Sequence, residues 1–116
     1  MDIHVTARRF KLHQEVRDHA FNSIKKLDRY YEGIGRSDII LSYERTVNSL
    51  KSAEINIHVN KAILTAKEKS EDFILSIDRA LEKIIRQLDK YKTKIRTKAK
   101  HMLRTLKERR SSSLMS

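Results

Sequence analysis

A chain of 116 residues carrying 26 Lys and Arg against 15 Asp and Glu has room for one domain with a single modest core, and its formal charge of +11 points to a polyanionic partner. The absence of cysteine excludes disulfides, thiol catalysis and the usual structural zinc sites, and it fits a reducing, cytoplasmic setting. The opening MDIHVTARRF has no apolar signal core, and no run approaches the roughly 20 apolar residues that span a bilayer, so a soluble protein without a membrane partner is expected.

In chain order, Ile3, Val5 and Ala7 alternate with His4 and Thr6, which predicts a strand over residues 2–7. From residue 13 to 32 the period changes: Val16, Ala20, Ile24, Leu27 and Tyr31 lie at helical spacing, with Phe10 and Leu12 just before them. Gly33 is the expected C-terminal cap of that helix. DIILSYER then reads as a strand with Ile39, Leu41 and Tyr43 on one side and Ile40, Ser42 and Glu44 on the other. TVNSL is the expected turn. SAEINIHVN has the clearest alternation, with Ala53, Ile55, Ile57 and Val59 inward and Glu54, Asn56 and His58 outward. Asn60-Lys61 makes a tight connection because Asn tolerates a left-handed backbone, and AILTAKEK pairs back as the fourth strand. Ser70 is the expected N-cap of a second helix whose stripe is Phe73, Ile74, Ile77, Ala80, Leu81, Ile84, Leu88, Tyr91 and Ile95. The fold class is therefore α+β, ordered β-α-β-β-β-α: a four-stranded mixed sheet with both helices on one face and the other face wet.

The segment KYKTKIRTKAK places a cation at every second residue from Lys90 to Lys100, the period of a strand. No Gly, Pro or Asn interrupts the helix before it, so it is expected to continue as helix, with steps of about 200° that spread the charges around the circumference. A helix running from residue 71 to about 104 would be about 50 Å long against a strand of about 20 to 23 Å, so its second half must overhang the body. Residues 90–110 hold ten Lys and Arg and one acid, Glu108, which is +9 of the net +11. Self-repulsion makes order beyond Ile95 conditional on an anionic partner, and nucleic acid is favoured over membrane because large apolar residues are sparse there. The expected division is an α/β domain over 1–97 and a basic extension over 98–116, conditionally helical and then disordered in SSSLMS.

The sequence offers no catalytic constellation. His4, His13, His19, His58 and His101 have no metal-ligand spacing, Asp38 and Glu44 read as solvated, and GIG is not followed by the rest of a phosphate-binding loop. No enzyme activity, metal or cofactor is expected. Tyr31, Tyr43 and Tyr91 fall on core stripes and read as packing residues.

Four stretches carry a resemblance: HVN at residues 58–60, SEDFILSID at 70–78, LEKIIRQLDKYKTKIR at 81–96 and KKLDRYYE at 25–32. They resemble the ribosome hibernation promoting factors, including the ribosome-associated inhibitor also called protein Y, over about residues 2–97. The third stretch is the most specific, an apolar helix leading into RQL and then alternating lysines. The chain departs from the family at Lys61 and Ala62, where glycine is common, at His13 in place of a Ser or Thr cap, and over 98–116, which have no counterpart. No segment after residue 97 reads as the extra C-terminal domain of long members, so the chain is expected to resemble the short forms.

The resemblance implies a double-stranded-RNA-binding-like fold and a cytoplasmic stress-response and stationary-phase factor. Such a factor sits, as a monomer, in the decoding region of the small ribosomal subunit, blocks messenger and transfer RNA sites and inhibits translation in starvation. Carried over by motif, the RNA-binding residues would be Lys26, Lys83, Arg86, Lys90, Lys92 and Lys94, with Arg96 matching less closely. Local charge adds Lys25, Arg29, Lys98, Lys100 and Arg104. The alternative function is a general double-stranded RNA-binding module.

Overall fold

The computed structural model describes residues 1–44 and 50–115, and the side-chain surroundings of 1–44 and 50–94. Its elements are β1 (Asp2–Arg8), α1 (Gln14–Lys25), a 3-10 turn (Lys26–Arg29), β2 (Ile34–Glu44), β3 (Leu50–Val59), β4 (Ala62–Ser70) and α2 (Phe73–Met115). The sheet order is β1-β2-β3-β4. β1 runs parallel to β2, as a strand–helix–strand crossover requires, and β2, β3 and β4 form the expected antiparallel meander. The mixed sheet and its two helices match the α+β class read from the sequence.

Register explains which face is dry. Ile39 pairs with Ile55, which pairs with Ala66, and Leu41 pairs with Ala53. These residues are buried with Ile57 and Val59 against Ala20, Ile24 and Leu27 on the α1 side and Phe73, Ile77, Ala80, Ile84 and Leu88 of α2. Each large aliphatic side chain removed from water here contributes about 1.5 to 3 kcal/mol. The opposite face carries Arg36, Asp38, Asn56, His58 and Thr65, where Arg36 holds Asp38 at 3.1 Å and Thr65 donates to Asn56 at 2.8 Å. That carboxylate raises the Arg36 pKa further, chiefly through the hydrogen bond.

Three boundaries and the role of Gly33 differ from the sequence reading. α1 ends at Lys25 and tightens into the 3-10 turn, which keeps Leu27 buried while turning the chain toward β2. No glycine has a positive φ, so Gly33 is not a left-handed cap. A Cβ at Gly33 would instead lie 2.6 Å from Tyr31 Cε1, so glycine serves the close approach of that ring. β2 begins at Ile34, not Asp38; an irregularity between Ile34 and Arg36 lets both Ile34 and Ser37 be buried. At the start of α2, Asp72 takes the cap role: its Oδ1 accepts from the Ile74 amide at 3.3 Å, and its carbonyl accepts from Ser76 N at 3.0 Å. Ser70 closes β4 and shares a 2.6 Å hydroxyl contact with Ser76, which donates to the Lys51 carbonyl at 2.7 Å.

Asn60 has φ 51°, as the β3–β4 connection needs. His13 caps α1 with its backbone alone. The predicted turn at TVNSL lies, but for Leu50, outside the described residues. α2 continues unbroken through KYKTKIRTKAK, so the period-two charge pattern sits on helix, and at about 1.5 Å per residue its 43 residues span about 65 Å.

Candidate nucleic-acid interface

The predicted cations gather in two groups. On α2, steps of about 100° per residue bring Lys83, Arg86, Lys90 and Lys94 within an arc of about 80°, over about 16 Å of axis. All four are exposed. Lys92 projects from the opposite side, half-buried, with its ammonium 5.8 Å from the centre of the Tyr31 ring. The second group surrounds the C-terminus of α1, where Lys25, Lys26 and Arg29 line a shallow cavity with Asn22 and Asp28. The side chains of Arg96, Lys98, Lys100 and Arg104 lie outside the described surroundings.

Ion pairing separates these cations. Lys83 is bound to Glu68 of β4, whereas Arg86, Lys90, Lys94, Lys25, Lys26 and Arg29 have no carboxylate partner among the described residues. An unpaired cation is ready to meet a phosphate; Lys83 must first leave Glu68. The hydrogen bond from Lys83 holds the Glu68 carboxyl below its ordinary 4.5. Because the folded value is the lower one, this pair stabilises above the unfolded pKa, and its contribution is lost as pH falls through the folded value. Glu68→Gln is therefore expected to flatten the acid side of the stability–pH curve below about pH 4.5, measured by urea unfolding, with little change at pH 7 beyond that of an exposed pair.

What seats the basic end of α2 is a polar–aromatic cluster that the sequence pattern does not display. Tyr31 and Tyr91 meet edge to face at 5.8 Å. Asn60 Nδ2 donates to Tyr91 Oη at 3.0 Å and lies 3.4 Å from Tyr31 Oη. One turn residue thus ties the β3–β4 connection to both tyrosines, just where Lys90, Lys92 and Lys94 leave the sheet. Gln87 adds a second tie, donating to the Thr65 carbonyl at 2.8 Å. Packing was the expected role for Tyr31 and Tyr91, which are partly buried against the core. Tyr43 differs: it is 47% exposed, at the next-to-last pair of the β2–β3 register, although one side of its ring packs against Phe10 and Phe73.

Other chemistry has little support in the geometry. Asp38 is not merely solvated but lies between Arg36 and His58, at 3.1 and 3.6 Å, and Glu44 is held by Lys69 at 2.7 Å. His19 is bonded to Asp78 at 2.7 Å and so links α1 to α2. Among the described residues no group of three His, Asp or Glu side chains could hold a metal ion, and no helix is long and apolar enough to cross a membrane.

Residues 3–96 match the family described as Sigma 54 modulation protein / S30EA ribosomal protein. The chain belongs to this family. The match ends just beyond the basic ridge of α2. Members similar to it include the ribosome hibernation promoting factor of Klebsiella oxytoca, 27% identical over 96 residues that make up 83% of this chain and 98% of that protein. The ribosome hibernation promotion factor of Staphylococcus aureus (strain COL) is 28% identical over 99 residues, 79% of this chain but 52% of that protein. Among solved structures, the ribosomal subunit interface protein of Coxiella burnetii superposes with a TM-score of 0.72 at 20% identity, covering 80% of this chain and 99% of that one. The Thermus thermophilus Protein Y N-terminal domain gives 0.68 at 24% identity, covering 78% and 99%. Both show the same fold as this family member.

Proposed function

We propose that this protein is a ribosome hibernation factor that binds rRNA in the decoding region of the small subunit, as a monomer, and inhibits translation by occupying the sites of messenger and transfer RNA. The observation that carries the reading is the exposed ridge of Arg86, Lys90 and Lys94, without carboxylate partners among the described residues and set on a helix of a fold shared with ribosomal interface proteins. Cations fixed on a rigid helix neutralise phosphates and release counterions, which gives affinity without base readout. Lys26, Lys25 and Arg29 at the end of α1 add a second line of contact, and Lys92 joins it when it exchanges the Tyr31 ring for phosphate. Specificity comes from shape, because only a folded rRNA channel matches both lines at once.

Residues 98–116 continue the same logic. With most of the net charge beyond Lys90, their helix is held by the polyanion it enters, and free in solution it frays. If about six phosphates are neutralised, the logarithm of affinity for small subunits is expected to fall against the logarithm of salt with a slope of roughly −4 to −5. The check is a filter-binding or anisotropy series with purified small subunits. A slope near zero would remove phosphate neutralisation as the basis of binding.

A further inference from the structure

We propose that the end of the sheet opposite Tyr31 and Tyr91 carries a second RNA contact, in which Arg8, Arg9 and Lys51 hold phosphates of a single-stranded segment and Tyr43 stacks on one of its bases. The inference rests on the rRNA-binding reading above and extends it to the end of the sheet away from Tyr31 and Tyr91.

Because β1 and β2 are parallel, their C-terminal ends arrive together, and Arg8 pairs in register with Ser42. The chain then bends at Arg9 with φ 63°, in the left-handed region that Gly or Asn adopts at far lower cost. A bulky cation thus occupies a strained position without making an ion pair among the described residues, and strained residues of this kind cluster at ligand-holding sites. Arg8, Arg9, Ser42 and Tyr43 line one open cavity, with no carboxylate among the described residues that line it. The nearest acid in sequence, Glu44, is already engaged by Lys69 at 2.7 Å and Lys67 at 3.9 Å. Lys51, the register partner of Tyr43, adds a third cation, with its ammonium 5.8 Å from the Phe73 ring centre.

The aromatic part is equally organised. Phe10 and Phe73 stack at 5.1 Å, and Tyr43 stands nearly perpendicular to both, at 4.8 and 5.1 Å. The cluster fixes the Tyr43 ring while leaving it 47% exposed, on a cavity that Arg8 and Arg9 also line. A rigid exposed ring flanked by cations suits an unpaired base and its phosphates, and a base inside a duplex cannot reach it. The two contacts lie at opposite ends of β2, whose 11 residues span on the order of 35 Å, so the second must add its own share to the salt dependence.

The test measures salt slopes for small-subunit binding by the full chain and its variants. Arg8→Ala with Arg9→Ala is expected to make the slope shallower by about 1.5, and Arg9→Gly, which also relieves the backbone, by about 0.7 with no loss of melting temperature. Tyr43→Ala is expected to weaken binding about tenfold at unchanged slope, while Tyr43→Phe stays near wild type. A labelled single-stranded uridine 12-mer is expected to show the same Tyr43 dependence, and polyglutamate of equal charge none. Unchanged slopes for both arginine variants, alongside a slope reduced by substitution of Lys90, Lys92 and Lys94, would overturn this contact and leave the α2 interface standing. Equal Tyr43 dependence for polyglutamate would overturn RNA as the ligand. A wild-type chain that does not bind small subunits at all would overturn the rRNA reading, and this extension with it.

Discussion

Replacing Lys90, Lys92 and Lys94 together with glutamate is expected to reduce affinity for small ribosomal subunits by at least about 100-fold at near-physiological salt and to make the salt slope shallower by about 2 to 3. Three cations become three anions, so each position loses a phosphate contact and gains a repulsion. The fold is expected to survive. Lys90 and Lys94 are exposed and make no ion pair among the described residues, and Lys92 loses only a cation–ring contact of about 0.5 to 1 kcal/mol. Far-ultraviolet circular dichroism and a melting curve check the fold, and sedimentation with small subunits checks the binding. Full binding by a folded triple variant would place the interface elsewhere.

Tyr91→Ala is expected to destabilise the protein by about 2 to 3 kcal/mol, through lost apolar burial, the edge contact with Tyr31 and the Asn60 hydrogen bond. For a domain of this size that lowers the melting temperature by about 8 to 15 °C. Tyr91→Phe removes only the hydroxyl and is expected to cost about 1 kcal/mol. The functional consequence is separate: Tyr91→Ala removes no charge, yet it unseats the helix just where Lys90, Lys92 and Lys94 leave the sheet. Affinity is expected to fall several-fold at fixed salt in the fraction that remains folded, with the slope retained. Thermal melting and binding of the two variants, measured side by side, separate stability from positioning.

These effects follow from features that differ in how visible they are in the sequence. The alternation of Ala53, Ile55, Ile57 and Val59 identified β3 because a one-residue slip would turn every apolar side chain to water. The stripe from Phe73 to Leu88 identified α2 for the same reason at another period. Less visible was the end of α1, since Ile24, Leu27 and Tyr31 keep helical spacing whether the last turn is α or 3-10. Two glycines made GIGRS look like a loop, yet the irregularity after Ile34 lets β2 start there. Ser70 read as the cap, yet Asp72 two residues later takes that role, because Ser70 is engaged with Ser76, which in turn donates to the Lys51 carbonyl, while Asp72 accepts from the Ile74 amide.

At the candidate interface, sequence motifs located the cations but not their partners. Lys83 and Glu68 lie on different elements, so nothing local shows that one predicted RNA ligand is already occupied. Asn60 was legible as a turn residue and illegible as the hydrogen-bond donor that joins Tyr31 and Tyr91, because that contact exists only once α2 crosses the β3–β4 connection. Tyr43 read as core from its position on the inward face of β2. It is half exposed because, at the end of the β2–β3 pairing, only Phe10 and the first residue of α2, Phe73, pack against its ring.

The central claim, that a folded rRNA site and not any duplex is the target, is tested most directly by sedimenting the full chain with small ribosomal subunits while excess duplex RNA competes at near-physiological salt. Shape-matched binding through both lines of cations predicts that the protein stays with the subunits at duplex concentrations many-fold above them. Loss of the protein to any duplex in proportion to its phosphate content would contradict the account and identify a general double-stranded RNA-binding module instead.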